Sequence, residues 1–144
     1  ALYLSVFWNW LNALPQDVAE CDTYDNFCRA YCASLERDPL LVPLMCDAQN
    51  RIQHNIPIET FVEFKRSQSQ GLEKLAQVFA QNLNLDDTQA SQTVWAFHVA
   101  TLGAANFIKP SAFAQNSLPP DTHGLTFGLG FSSMFLNTVT QLKI

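Results

Sequence analysis

His98 is the residue whose type and setting most suggest chemistry, lying among Trp95, Phe97, Val99 and Leu102 with Thr101 and Asn106 close behind. On a helix, residues three or four apart share a face, so Trp95 and His98 are neighbours and Asn106 follows about two turns on. Polar groups inside an apolar wall suit a small-molecule pocket, where burial supplies affinity and a few placed polar groups supply orientation. The same pattern also fits a core histidine bonded to a carbonyl or a water, because a buried polar group needs a partner either way.

Cys28 and Cys32 lie one turn apart, which puts both thiols on one face but is not the CxxC spacing of zinc or redox motifs. With Cys21 and Cys46 the count is even, yet a chain with its own core does not need bridges. Reduced, buried thiols are the expectation. His54, His98 and the cysteines lack the short loop spacing that zinc favours, so neither metal nor other cofactor is expected. A globin-type haem pocket would need its proximal histidine on a short helix, whereas His98 sits inside a long apolar one. No GxSxG, HExxH, Gly-rich phosphate loop or local Ser/His/Asp or Cys/His grouping occurs, so no catalytic residue is assigned.

The charge balance narrows the classes further. Eight Lys and Arg against thirteen Asp and Glu give a formal charge of -5, with the basic residues scattered. Phosphate binding needs clustered cations, so this chain is not expected to touch nucleic acid directly. A 144-residue chain with 48% hydrophobic residues can bury one real core, and without linkers or repeats residues 1–144 read as a single domain. No run of eighteen apolar residues exists, and the apolar opening Ala1–Leu14 contains Asn9 and Asn12 without a basic flank. Neither a membrane span nor a signal peptide is read there, and a cytoplasmic location is expected. The chain begins in mid-pattern without a methionine, which suggests residues upstream of Ala1.

Helical periodicity organises the rest. A first helix, Leu2 to Leu14, carries Leu4, Phe7, Trp8 and Leu11 and is expected to stop at Pro15. Thr23 is a good N-cap for a second, running to about Asp38, with Tyr24, Phe27, Cys28, Tyr31, Cys32 and Leu35 as its stripe. The third spans Leu40 to Asn55, with Leu41, Leu44, Met45, Ala48 and Ile52 facing inward. The fourth runs from Ile58 to about Leu83, with Phe61, Val62, Lys65, Ser69, Leu72, Ala76, Phe79 and Leu83 on its stripe, Phe64, Leu75 and Val78 widening it, and Gly71 as its weak point. After Asp86 and Asp87 a fifth helix ends at Lys109 and Pro110; from Val94 to Ile108 it is apolar almost all round and is expected to be central and buried. Residues Ser111 to His123 read as a loop. A final helix, Gly124 to Leu142, is expected to bring Gly124 and Gly128 close to a partner. No segment alternates as a half-buried strand would.

Several of these boundaries resemble the C-terminal domain of tetracycline-repressor-family regulators. Ala1-Leu2-Tyr3-Leu4-Ser5-Val6-Phe7 is similar to the start of that family's connecting helix. Leu35-Glu36-Arg37-Asp38-Pro39-Leu40 resembles the turn before its sixth helix, and His54-Asn55-Ile56-Pro57-Ile58-Glu59 with Phe64-Lys65 resembles the start of its seventh. The resemblance implies an all-α, six-helix orthogonal bundle whose last two helices form a four-helix dimer interface. It also implies a homodimer that binds a small, largely apolar effector and reaches DNA only through an N-terminal helix-turn-helix module absent from these residues. Phe127, Phe131, Met134 and Phe135 are the expected interface residues, being too apolar to face water.

Phe7, Trp10, Phe61, Trp95, His98 and Asn106 are the expected ligand contacts; the first-helix residues and Phe61 follow from where the resembled family keeps its ligand. Eleven Phe, three Trp and three Tyr could simply be core, although Trp8 and Trp10 cannot both point at the same one. Two other readings stay open: a helical protein-interaction domain with a filled core, and a redox or metal sensor built on Cys28 and Cys32.

Overall fold

A computed structural model of the chain describes residues 2–108, 121 and 130–142, with the side chains of 2, 48–54, 107 and 108 excepted. Six helices make up the described residues, with no strand among them. They are α1 (Leu2–Asp17), α2 (Tyr24–Glu36), α3 (Leu41–Asn55), α4 (Ile58–Leu83), α5 (Asp87–Ile108) and α6 (Phe131–Val139). Helix α4 packs along α5, α5 along α6, and α1 against α2, α3 and α4, with α2 also touching α3 and α6.

Local chemistry explains most boundaries. Thr23 is extended and its hydroxyl accepts from the Asn26 amide at 3.2 Å, capping α2 as its position suggested. The Asp86 carboxylate accepts from the Gln89 amide at 2.7 Å at the start of α5. Helix α4 ends on Asn84 in the left-handed region (φ 54°), which asparagine tolerates better than most residues.

Helix α1 differs from expectation in passing through Pro15 and ending at Asp17. Tertiary contacts hold that last turn: Leu14 and Val18 are both fully buried, and Val18 N–H bonds the Leu14 carbonyl at 3.2 Å. The Asn82 amide caps the end by donating to the Val18 and Ala19 carbonyls, and Arg37 forms a bidentate pair with Asp17 at 2.9 and 2.6 Å. Nor is Gly71 a break in α4. A Cβ there would lie 2.5 Å from Leu11 Cδ2, so the glycine lets Leu11 of α1 rest directly on α4.

The core is aromatic. Phe27 and Phe79 pack at 4.3 Å, Tyr31 meets Phe97 edge-on at 5.1 Å, and Tyr31 and Phe135 stack at 5.7 Å. The buried phase of α4 is Gln68, Leu72, Leu75, Ala76 and Phe79. Leu72, Ala76 and Phe79 are buried as expected, whereas Lys65 and Ser69, placed on that stripe from sequence, are exposed and Gln68 is buried in their stead. On α3, Leu41 and Met45 are buried as expected, while Ala48 and Ile52 fall outside the described side chains. The final helix is described only from Phe131, and Gly124, Gly128 and most of the expected Ser111–His123 loop lie outside the described residues.

Candidate functional site

The expected ligand contacts do not converge. Phe7 and Trp10 are core residues, and Trp10 Nε1–H donates to Ser34 Oγ at 2.9 Å. His98 is buried against α4, where Gln68 Nε2 lies 3.2 Å from its Nε2. Lys65 Nζ donates to Gln68 Oε1 at 3.4 Å, which turns the amide's N–H2 toward His98 and makes His98 Nε2 the acceptor. Burial, with a smaller contribution from the Lys65 charge, pushes the His98 pKa down to about 4, so the ring is neutral near pH 7.

Trp95 is 38% exposed, its ring edge-on to His98 at 6.1 Å, and Asn106 is exposed with its amide donating to the Leu102 carbonyl. Phe61 is half-buried, with the Lys65 ammonium 5.7 Å from its ring centre.

Space for a ligand occurs instead between α1 and α4. A cavity of about 290 Å³ is lined by Tyr3, Leu4 and Trp8 on one side and by Ile56, Thr60, Glu63, Phe64 and Ser67 on the other. Thr60, Phe64 and Ser67 recur at four- and three-residue intervals, so one face of α4 presents two hydroxyls around one ring to α1. Phe7 backs the site, with ring contacts to Tyr3, Trp8 and Phe64 at 5.6, 5.0 and 5.6 Å. Burial raises the Tyr3 pKa to about 12, so its phenol stays protonated and can donate. Of the adjacent tryptophans, Trp10 enters the core and Trp8 faces the cavity. That pairing was the signal for Trp8. The α4 pattern marks Phe64 as apolar but nothing in it marks Thr60 and Ser67, because the cavity exists only where two distant helices meet.

A second feature is an apolar strip on the outside of α5. Val99 is 67% exposed and follows Trp95 by one turn, so α5 is not buried all round as its composition suggested. On the neighbouring α6, Phe131 and Met134 are half-buried, whereas Phe135 is fully enclosed by its own protomer, stacked on Tyr31 and Phe131. Phe135 is therefore core and not outer-face, a correction that follows from its place one turn inside Phe131. Phe127 lies outside the described residues.

No disulfide joins the cysteines among the described residues. Cys28 and Cys32 are buried, and desolvation raises both to about 11, which keeps them protonated and poorly nucleophilic. Among the described residues no three His, Cys, Asp or Glu side chains come together as a metal cluster would require, and no helix is long and apolar enough to cross a membrane.

Comparison with known proteins gives one match. No curated protein and no solved structure matched the chain. A family model described as the tetracyclin repressor-like C-terminal domain matches residues 4–142, which takes in α2 to α6 whole and α1 from its third residue. The domains of that family are regulatory, and their all-α architecture agrees with the helices described above. Covered almost from end to end, the chain belongs to the tetracyclin repressor-like C-terminal domain family.

Proposed function

We propose that this domain binds a small, largely apolar effector in the cleft between α1 and α4 and relays its presence, through α1, to a DNA-binding module upstream. The observation that carries this reading is the position of the cavity: the N-terminal half of α1 forms one wall, through Tyr3, Leu4 and Trp8. An effector shifts a conformational equilibrium only if it binds one arrangement better than the other. A cleft with one wall on α1 meets that condition, because its occupant changes the separation of α1 from α4. A tilt of α1 would then alter the spacing of two DNA-reading heads that must match half-sites about one DNA turn apart.

Two heads require two copies. We assign the homodimer contact to the outer faces of α5 and α6, where Trp95 and Val99 are exposed on α5 and Phe131 and Met134 are half-buried on α6. No catalytic role is proposed, and the cytoplasm is the location that fits a transcriptional regulator.

Tryptophan fluorescence tests the cleft directly, since Trp8 lines it. A small apolar aromatic compound that binds should quench the emission and raise the melting temperature by mass action. Ser67→Trp, which fills the cleft, should abolish both effects while the helical signal persists. If a broad panel of such compounds leaves fluorescence and melting of the parent protein unchanged, the effector reading fails. For the dimer, Val99→Glu should give a monomer by light scattering, and a monomeric parent protein would refute the assignment.

A further inference from the structure

We propose a second ligand site, between α2, α3, α5 and α6, for a small organic cation with an apolar body. A cavity of about 440 Å³ lies there, within the size range of small-molecule sites, and it shares no lining residue with the α1–α4 cleft. Leu35, Val42, Pro43, Ala105 and Phe131 give it an apolar wall. Among the described lining residues the charged ones are Glu36 and Asp38.

The cation that sequence places between these acids, Arg37, is drawn away into its bidentate pair with Asp17 on α1. No Lys or Arg is therefore among the described lining residues to compensate the two carboxylates. Both are held in place. Asp38 Oδ1 accepts from the Leu40 amide at 2.9 Å, and Glu36 Oε1 accepts from the Cys32 thiol at 3.5 Å. An apolar chamber with two carboxylates at its edge complements an amphiphilic cation and opposes an anion of the same shape. Because Gly130, Phe131, Ser132 and Ser133 form one side, an occupant braces the start of α6 against α3. Its effect falls on the helices assigned to the dimer and not on α1.

The test compares octyltrimethylammonium, octanol and octanoate, below their micelle-forming concentrations, by calorimetry on the whole chain. The cation should bind about tenfold more tightly than the alcohol, as two partly solvated charge contacts allow, and the anion should not bind. Glu36→Gln with Asp38→Asn should erase that preference, the asparagine keeping an acceptor for the Leu40 amide. Val42→Trp, or Ser133→Trp if the first variant misfolds, should block binding by filling the chamber. Ser67→Trp should leave it intact. Equal binding of cation and alcohol, no binding of the cation, or unchanged binding in the carboxylate variant would overturn the proposal. Loss of binding in Ser67→Trp would move the cation to the α1–α4 cleft beside Glu63, ending this proposal while leaving the effector reading in place.

Discussion

Along α5, helix α4 packs Phe79 against Phe97 and encloses the Gln68–His98 contact; along α1 it meets Leu11 at Gly71 and opens into a cleft toward the N-terminal end. The first seam joins buried side chains over most of the helix, so displacing either partner exposes apolar surface. The second rests on a close contact at Leu11 and Gly71, with open space between the helices beside it. On the proposed effector reading, the part placed to respond to a ligand is the N-terminal half of α1, which walls the cleft.

The comparison breaks most severely at Phe97, which is fully buried on α5 among Phe27, Tyr31, Phe79 and Phe135. Phe97→Ala should cost about 3–5 kcal/mol in urea denaturation, as large truncations in packed cores do. Phe64→Ala, on the cleft side of α4, should cost far less and should instead abolish ligand quenching. Similar losses from the two variants would mean that the seams are not different in kind.

Acid should weaken the α4–α5 seam through His98. Its folded pKa of about 4 lies below the ordinary value of 6.5, so the unfolded chain takes up the proton first as pH falls. Stability is then full above about pH 6.5 and is lost progressively down to about pH 4, by up to about 3 kcal/mol. His98→Gln should flatten that part of the profile measured by denaturation at stepped pH. An unchanged slope would place the acid sensitivity elsewhere.

At the close contact of the other seam, Gly71→Ala should destabilise by about 1–3 kcal/mol, since overpacking against the buried Leu11 outweighs the alanine's better helix propensity. Adding Leu11→Ala should cost less than the two single changes summed, and strict additivity in this double-mutant cycle would deny the contact. The smallest effect belongs to Arg37→Ala: a largely exposed ion pair with Asp17 should contribute no more than about 1 kcal/mol, and less at high salt.

The helices were legible in the sequence where single residues decide them. Thr23 caps α2, and α4 runs from Ile58 to Leu83 between Pro57 and Asn84, because caps and prolines act within a turn of themselves. What the sequence obscured depends on contacts between distant residues. Pro15 reads as a stop until Asn82 and Arg37 are seen holding the turn beyond it. Lys65 and Gln68 differ in burial because α5 places His98 opposite one of them. Trp95 and Val99 look like core on an apolar helix, and only the side to which α4 and α6 dock leaves them outside. The cleft was the least legible, being a property of neither α1 nor α4 alone.

Gly71 also sets a mechanical ratio. With no Cβ between the helices, α1 rests on α4 as a rod on a fulcrum at Leu11, its far end pinned by Asn82 and Arg37. Seven residues separate Leu11 from Leu4, an arm of about 10 Å at the helical rise. A spacer that parts the helices by one ångström at Leu4 therefore turns the rod by roughly 5° on that arm. The gain depends on where the fulcrum stands. A small side chain at the position of Gly71 would shift it, changing the response to an effector without altering any residue that touches the effector.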